Sequence, residues 1–225
     1  MKSIETVPIQ IPWGLREIKL AIVALLCLFG ALRLFAPVFP ENPTNLILIM
    51  GLLLYSPMIG LAIGMGPGRD IRRLTLLGLG YPQKSLIFWG LIGAFLSMGF
   101  TRIYVYLIEI AGPGELMPPP LPELINPDSP LPLTFIGIVI LGPFAEEIFY
   151  RGFIFGGLFG RLGPWRAAYV SAGLFAVSHM DFGLIIPAFA AGLLFAWVYN
   201  RTGSIWPIIL AHSIQNALVL RIAVS

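Results

Sequence analysis

Charged residues, cysteine and histidine are all scarce in this chain. Asp, Glu, Lys and Arg together make up 11% of its 225 residues, while 57% are hydrophobic; a soluble domain carries roughly 25% charge. That balance excludes an ordinary soluble domain and points to a protein built into a membrane. The single cysteine, Cys27, excludes an internal disulfide and any cysteine-rich metal cluster. A net charge of +3 is spread without a basic stripe interleaved with aromatics, so nucleic acid is not an expected partner. Also missing are an HExxH helix, a GxSG serine motif, an aspartate pair in adjacent apolar runs and any internal repeat.

What is present is a series of apolar runs long enough to cross about 30 Å of hydrocarbon. They begin near Leu20, Leu46, Leu86, Leu133, Ala167, Leu184 and Ile205. The expected fold is therefore all-α, a polytopic transmembrane helical bundle of about seven spans, or eight if a longer run is broken. The first run has no small-residue cleavage site behind it and is expected to be an anchor, not a removable signal.

Basic residues alternate strictly between connections. Lys2, Arg16 and Lys19 precede span one; Arg69, Arg72, Arg73 and Lys84 lie between two and three; Arg161 and Arg166 follow four, and Arg201 follows six. The intervening connections, "ENPTN", "AGPGELMPPPLPELINPDSPLP" and "MDFG", hold no Lys or Arg. The positive-inside rule then places the N-terminus in the cytoplasm and, with an odd count, the C-terminus outside. The chain divides into residues 1–132, three spans plus a proline-rich connection, and residues 133–225, all within one integrated membrane domain. The connection Ala111–Pro132 has eight prolines in 22 residues, fitting a stiff extracytoplasmic loop or a lid that gates substrate.

A charge at membrane depth costs roughly 2.5 to 3.5 kcal/mol on insertion scales, so each one needs a partner or a task. Span four holds three, Glu146, Glu147 and Arg151, in "FAEEIFYRG". Glu147 and Arg151 are four apart and share a helix face, in the order favourable for an ion pair. Glu146 is turned about 100° away and has no partner in its own helix. A solitary carboxyl in a protein interior suits proton transfer near neutral pH.

The only two histidines, His179 and His212, both fall in predicted spans, and none lies in a loop. Phe175 shares a face with His179, and Asn216 one with His212. At about 1.5 Å per residue from the cytoplasmic ends, Glu146 lies about 21 Å deep, His179 about 18 Å, His212 about 12 Å and Asn216 about 18 Å, so all four can meet. The plainer reading is that such groups are interhelical hydrogen-bond glue. Arg102 and Glu109, two turns apart in span three, are expected to pair structurally or to snorkel to an interface.

A carboxylate beside a histidine can hold and deprotonate water, and a second histidine with an asparagine can donate to the oxyanion formed at a peptide carbonyl. "EEIFYR", "FAVSH" and "HSIQN" occur in that order, and they resemble the EExxxR, FxxxH and HxxxN motifs of the CPBP family. That family comprises the membrane proteins of the CAAX prenyl endopeptidase type II, bacteriocin-processing or Abi kind. The resemblance covers roughly Leu133 to Leu220. It implies that residues 133–225 form the catalytic helical core, with Glu146 as general base, His179 orienting the water, and His212 and Asn216 as the oxyanion site. Glu147 and Arg151 would be a supporting pair, and Phe175 would pack beside the site.

The implied activity is intramembrane endopeptidase cleavage near the C-terminus of a membrane-tethered, amphipathic or prenylated CAAX-type peptide. Proteins of this family are often called metalloproteases, and Glu146, His179 and His212 could hold Zn²⁺ with one position open. Metal-free, glutamate-activated water is the preferred reading, because Glu147, the spare carboxylate, is taken by Arg151. Two other classes stay open on the same residues: a proton-coupled transporter, and a non-catalytic immunity or binding protein.

Overall fold

The computed structural model describes residues 11–35, 51–68, 70–82, 84–112, 114–119 and 131–223, and every regular element among them is helical. Helix α1 is Leu15–Phe35. A wide turn, Gly51–Tyr55, leads into α2, Ser56–Met65, and a 3-10 segment, Ile71–Leu77, precedes α3, Leu86–Ala111. A continuous helical run, Leu131–Val177, is broken once, at Gly163, where φ is 74° and ψ 168°. It gives α4, residues 131–162, and α5, residues 164–177. Helices α6, Phe182–Thr202, and α7, Trp206–Ala223, complete the bundle.

Helices α3 to α7 each begin within about three residues of an apolar run start named above, whereas α1 begins ahead of Leu20 and α2 begins well past Leu46. The start at Leu46, the "ENPTN" connection, Lys2, Arg69 and residues 120–130 of the proline-rich connection lie outside the described residues. Three described runs, Leu86–Ile110, Leu131–Val177 and Phe182–Thr202, are long and apolar enough to cross a bilayer. The outer face of α3 is apolar, with Phe88, Phe95 and Ile103 exposed, while Glu147 and Arg151 are buried. Such inversion of the soluble pattern belongs to a protein solvated by lipid. Arg102 and Glu109 are both exposed on α3, and no ion pair joins them.

The break between α4 and α5 follows from "GP". Pro164 has no N–H to continue the ladder and disfavours α geometry in the residue before it, and Gly163 takes the positive φ that other residues resist. The chain then doubles back. Ser171 Oγ of α5 donates to the Tyr150 carbonyl of α4 at 2.7 Å, and Phe175 lies over Arg151. Glu147 and His179 each stand sixteen residues from Gly163, so the end of α5 comes level with the acidic pair. With only residues 164–177, α5 is shorter than the roughly 20 residues a crossing needs.

Small residues let the other helices approach closely, as in membrane bundles generally. A side chain added at Gly192 of α6 would meet the Ala172 Cβ of α5 at 2.8 Å, and one at Gly93 of α3 would meet the Ala211 Cβ of α7 at 3.1 Å. Ser97 of α3 donates to Gln215 of α7 at 3.2 Å. The described start of the proline-rich connection is tied down: Tyr104 donates to the Leu116 carbonyl at 2.6 Å, and the Met117 carbonyl lies against Gly183 at the start of α6.

The segment before α1 is anchored by Trp13. Its ring stacks on Phe153 at 6.0 Å between centroids, and its Nε1–H donates to the Phe153 carbonyl at 2.8 Å across 140 residues. Glu17 accepts from the Gly14 amide at 2.9 Å; its own amide and that of Gly14 hold its carboxyl below the usual range. Trp13→Phe keeps an aromatic ring but removes one of the donors to the Phe153 carbonyl, which the Gly156 amide also reaches, so it is expected to cost about 0.5–1.5 kcal/mol. Unfolding of the purified variant in detergent, against the wild-type chain, measures it.

Candidate active site

The site forms where α4 passes α5 and α7. Glu146 ends an α-helical stretch, Gly142–Glu146, and Glu147 opens a stretch of wide turns, Glu147–Phe155. Turns with i→i+5 bonding re-aim neighbouring side chains and recur at functional sites. Here two adjacent carboxylates receive different surroundings.

Glu147 and Arg151 side chains are both 0% exposed. Arg151 Nη1 donates to Glu147 Oε1 at 3.0 Å, the pairing expected from the four-residue spacing. That oxygen is also 2.9 Å from His212 Nδ1. Because a carboxylate oxygen accepts, Nδ1 carries the proton. The expected pair is thus a three-membered cluster that ties α7 to α4. The Arg151 guanidinium lies 4.4 Å from the Phe175 ring centre and 5.6 Å from that of Phe195, an aromatic seating that a weakly hydrated planar cation tolerates. Among the described residues, Glu147 Oε2 and Arg151 Nε and Nη2 have no hydrogen-bond partner.

With Nδ1 engaged, the other nitrogen of His212 faces outward from the cluster. His212 Nε2 lies 3.7 Å from Glu146 Oε2, beyond direct hydrogen-bond range. A water lying beside that gap can bond to both groups. The Glu146 side chain is 24% exposed, against 8% for His212. Glu146 is therefore the accessible carboxylate, and Glu147 the sequestered one.

His179 departs from expectation. It was placed inside span five, but α5 ends at Val177, and His179 is exposed in the turn before α6. The turn closes because Asp181 caps α6, accepting from Leu184 N–H at 3.1 Å, and because Met180 takes a positive φ of 52°. His179 Nδ1 lies 2.9 Å from the Phe175 carbonyl, to which Ser178 Oγ also donates at 2.7 Å. A carbonyl only accepts, so His179 too is protonated at Nδ1, leaving Nε2 with its lone pair. The Phe175 ring meets both imidazoles edge-on, at 4.8 Å for His179 and 5.8 Å for His212.

Asn216 does not join Glu146 or His212 by a hydrogen bond. Its Nδ2 donates instead to the Ile138 carbonyl at 2.9 Å, two turns before Glu146, within the wide-turn stretch Ile136–Leu141. Phe195, on the far side of the guanidinium and 5.8 Å from His212, was not foreseen. Nothing in the run "AFAAGLLFAW" distinguishes it from lipid-facing phenylalanines.

Among the described residues no group of three or more His, Cys, Asp and Glu side chains is placed to share an ion, the set Glu146, His179 and His212 included. Breaking a buried ion pair from one side costs about 3–5 kcal/mol. Arg151→Leu is expected to lose that much stability in a denaturant series in detergent. Arg151→Lys should recover only part, since an ammonium cannot bridge Phe175 and Phe195 as a planar group does.

Comparison with known proteins meets this geometry on the same residues. Residues 128–218 match the family described as type II CAAX prenyl endopeptidase Rce1-like, and the stretch includes all seven side chains named from the motifs. The chain is 32% identical over 146 residues to "Membrane-embedded CAAX protease MroQ" of Staphylococcus aureus (strain USA300), covering 62% of this chain and 59% of that protein. It is 31% identical over 139 residues to "Putative membrane peptidase YdiL" of Bacillus subtilis (strain 168), covering 60% and 55%. The chain thus spans less than two thirds of the length of these two relatives. A third, "UPF0177 protein YxdF" of Lactococcus lactis subsp. lactis (strain IL1403), is 25% identical over 154 residues, covering 61% and 81%. No solved structure matches the chain. Residues 128–218, where the buried Glu147 cluster and the open Glu146 both lie, are thus similar to the family described as type II CAAX prenyl endopeptidase Rce1-like.

Proposed function

We propose that this membrane protein is an intramembrane endopeptidase in which Glu146 activates water against a peptide bond. The observation that carries the reading is the asymmetry of two adjacent glutamates. One is sealed between Arg151 and His212, and its neighbour is partly open and faces the free nitrogen of that histidine at 3.7 Å. Of the two, only Glu146 is reachable by water and substrate together.

The chemistry assigns one task to each group. Glu146 takes a proton from a water that His179 Nε2 orients by accepting its other hydrogen, and the oxygen adds to the scissile carbonyl carbon. The carbonyl oxygen becomes an oxyanion and is stabilised by Nε2–H of His212 when that ring carries both protons. Asn216 supplies a second donor once substrate draws its amide from the Ile138 carbonyl. On collapse the C–N bond breaks, and Glu146 returns its proton to the leaving nitrogen. The reading is metal-free, supported by the engagement of Glu147 with Arg151 and His212, which leaves Glu146 as the carboxylate free to act as base.

The family description and the name of one relative point to a CAAX-type C-terminus, and the apolar exterior favours a substrate that arrives through the bilayer, whether amphipathic or lipid-tethered. The protein is a multi-pass one with a cytoplasmic N-terminus, as the alternation of basic connections supports.

Glu146→Ala is expected to abolish cleavage of internally quenched peptides, farnesylated and unmodified, in proteoliposomes, while the unfolding transition stays within that of the wild-type chain. Cleavage that survives this change would remove Glu146 from the role of base. His179→Ala is expected to lower kcat by about 100- to 10,000-fold, the range for a lost acid–base group, with His179→Gln, whose amide oxygen can accept from the water, less severe.

A further inference from the structure

Residues outside the matched stretch also reach the site. The wide turn Gly51–Tyr55 ends on Tyr55, whose side chain packs onto the core. Its hydroxyl sits directly over Gly142: a Cβ built there would lie 2.9 Å from Tyr55 Oη and 3.2 Å from Cζ. Gly142 precedes Glu146 by one turn, on the same face of α4. The hydroxyl therefore lies beside the face of α4 from which Glu146 projects one turn on. Any larger residue at 142 would occupy the place where the hydroxyl lies.

We propose that Tyr55 is a positioning residue for Glu146: its hydroxyl, admitted by Gly142, donates to one carboxylate oxygen and turns the other toward the water and His212. This rests on the endopeptidase reading for its catalytic consequence, but the contact itself does not. A neutral donor suits the place, because it steadies the anionic carboxylate without the charge that would hold it as Arg151 holds Glu147. The site would then be completed by the N-terminal half of the chain, which lies outside the stretch matched by the family.

Two variants test the contact from opposite sides. Tyr55→Phe removes the donor and keeps the ring; Gly142→Ala keeps the donor and displaces it, at a helix-interior position where alanine is well tolerated. In full-length protein in detergent, N,N′-dicyclohexylcarbodiimide should label Glu146 several-fold faster in either variant than in the wild-type chain, read by peptide mass spectrometry. The double variant should label no faster than the faster single one, since both remove one contact. In the peptide assay each single variant should lower kcat by about 10- to 100-fold with KM unchanged, the scale of a misaimed group.

Unchanged labelling in both variants would overturn the proposal, as would independent, multiplying effects in the double variant. Normal kcat in a Tyr55→Phe protein whose wild-type parent cleaves in a Glu146-dependent way would overturn it too. If the parent cleaves nothing, the endopeptidase reading fails, and the labelling alone decides the contact.

Discussion

The buried Glu147 carboxylate holds this structure together and sets the terms for its site. A charge with no exposure must be matched where it stands, and Oε1 is met from its own helix by Arg151 at 3.0 Å and from α7 by His212 at 2.9 Å. Removing either leaves a charge uncompensated in an apolar interior. The cation is seated in turn between Phe175 of α5 and Phe195 of α6. Four helices are thus registered on one carboxylate, and the register aims His212 Nε2 at Glu146. Cohesion and the geometry of the candidate site are one arrangement seen from two sides.

Parts of this were legible in the chain itself. The four-residue spacing of Glu147 and Arg151 says that they pair, because a helix puts such residues side by side. The two histidines in apolar runs, with no others elsewhere, say that a polar centre exists. The third member of the cluster was not legible. That His212 turns its Nδ1 to Glu147 and only its Nε2 to Glu146 depends on how α7 crosses α4, which no spacing within either helix encodes. The sequence reading paired Glu146 with the histidines and closed Glu147 off with Arg151; the structure connects both glutamates to one imidazole.

His179 and Asn216 show why the rest was hidden. Counting depth along an apolar run treats the helix as unbroken, and "SH" looks like its continuation up to the "MDFG" connection. Asp181 caps the next helix instead, so the chain turns early and His179 stands at an open end. Asn216 is captured by a carbonyl in a wide-turn stretch, and such turns have no simple signature in composition. Gly163 and Pro164 mark the reversal that brings Phe175 over Arg151.

The central claim is the tautomer that Glu147 imposes on His212, and the chain is suited to testing it because it has only two histidines. In protein labelled with ¹⁵N-histidine alone and reconstituted in lipid, nitrogen shifts should show Nδ1 protonated in both rings, with Glu147→Gln disturbing His212 and leaving His179 in place. A His212 ring protonated at Nε2 alone, with a bare Nδ1, would contradict the account, because Glu147 could then neither hold that ring nor aim it at Glu146.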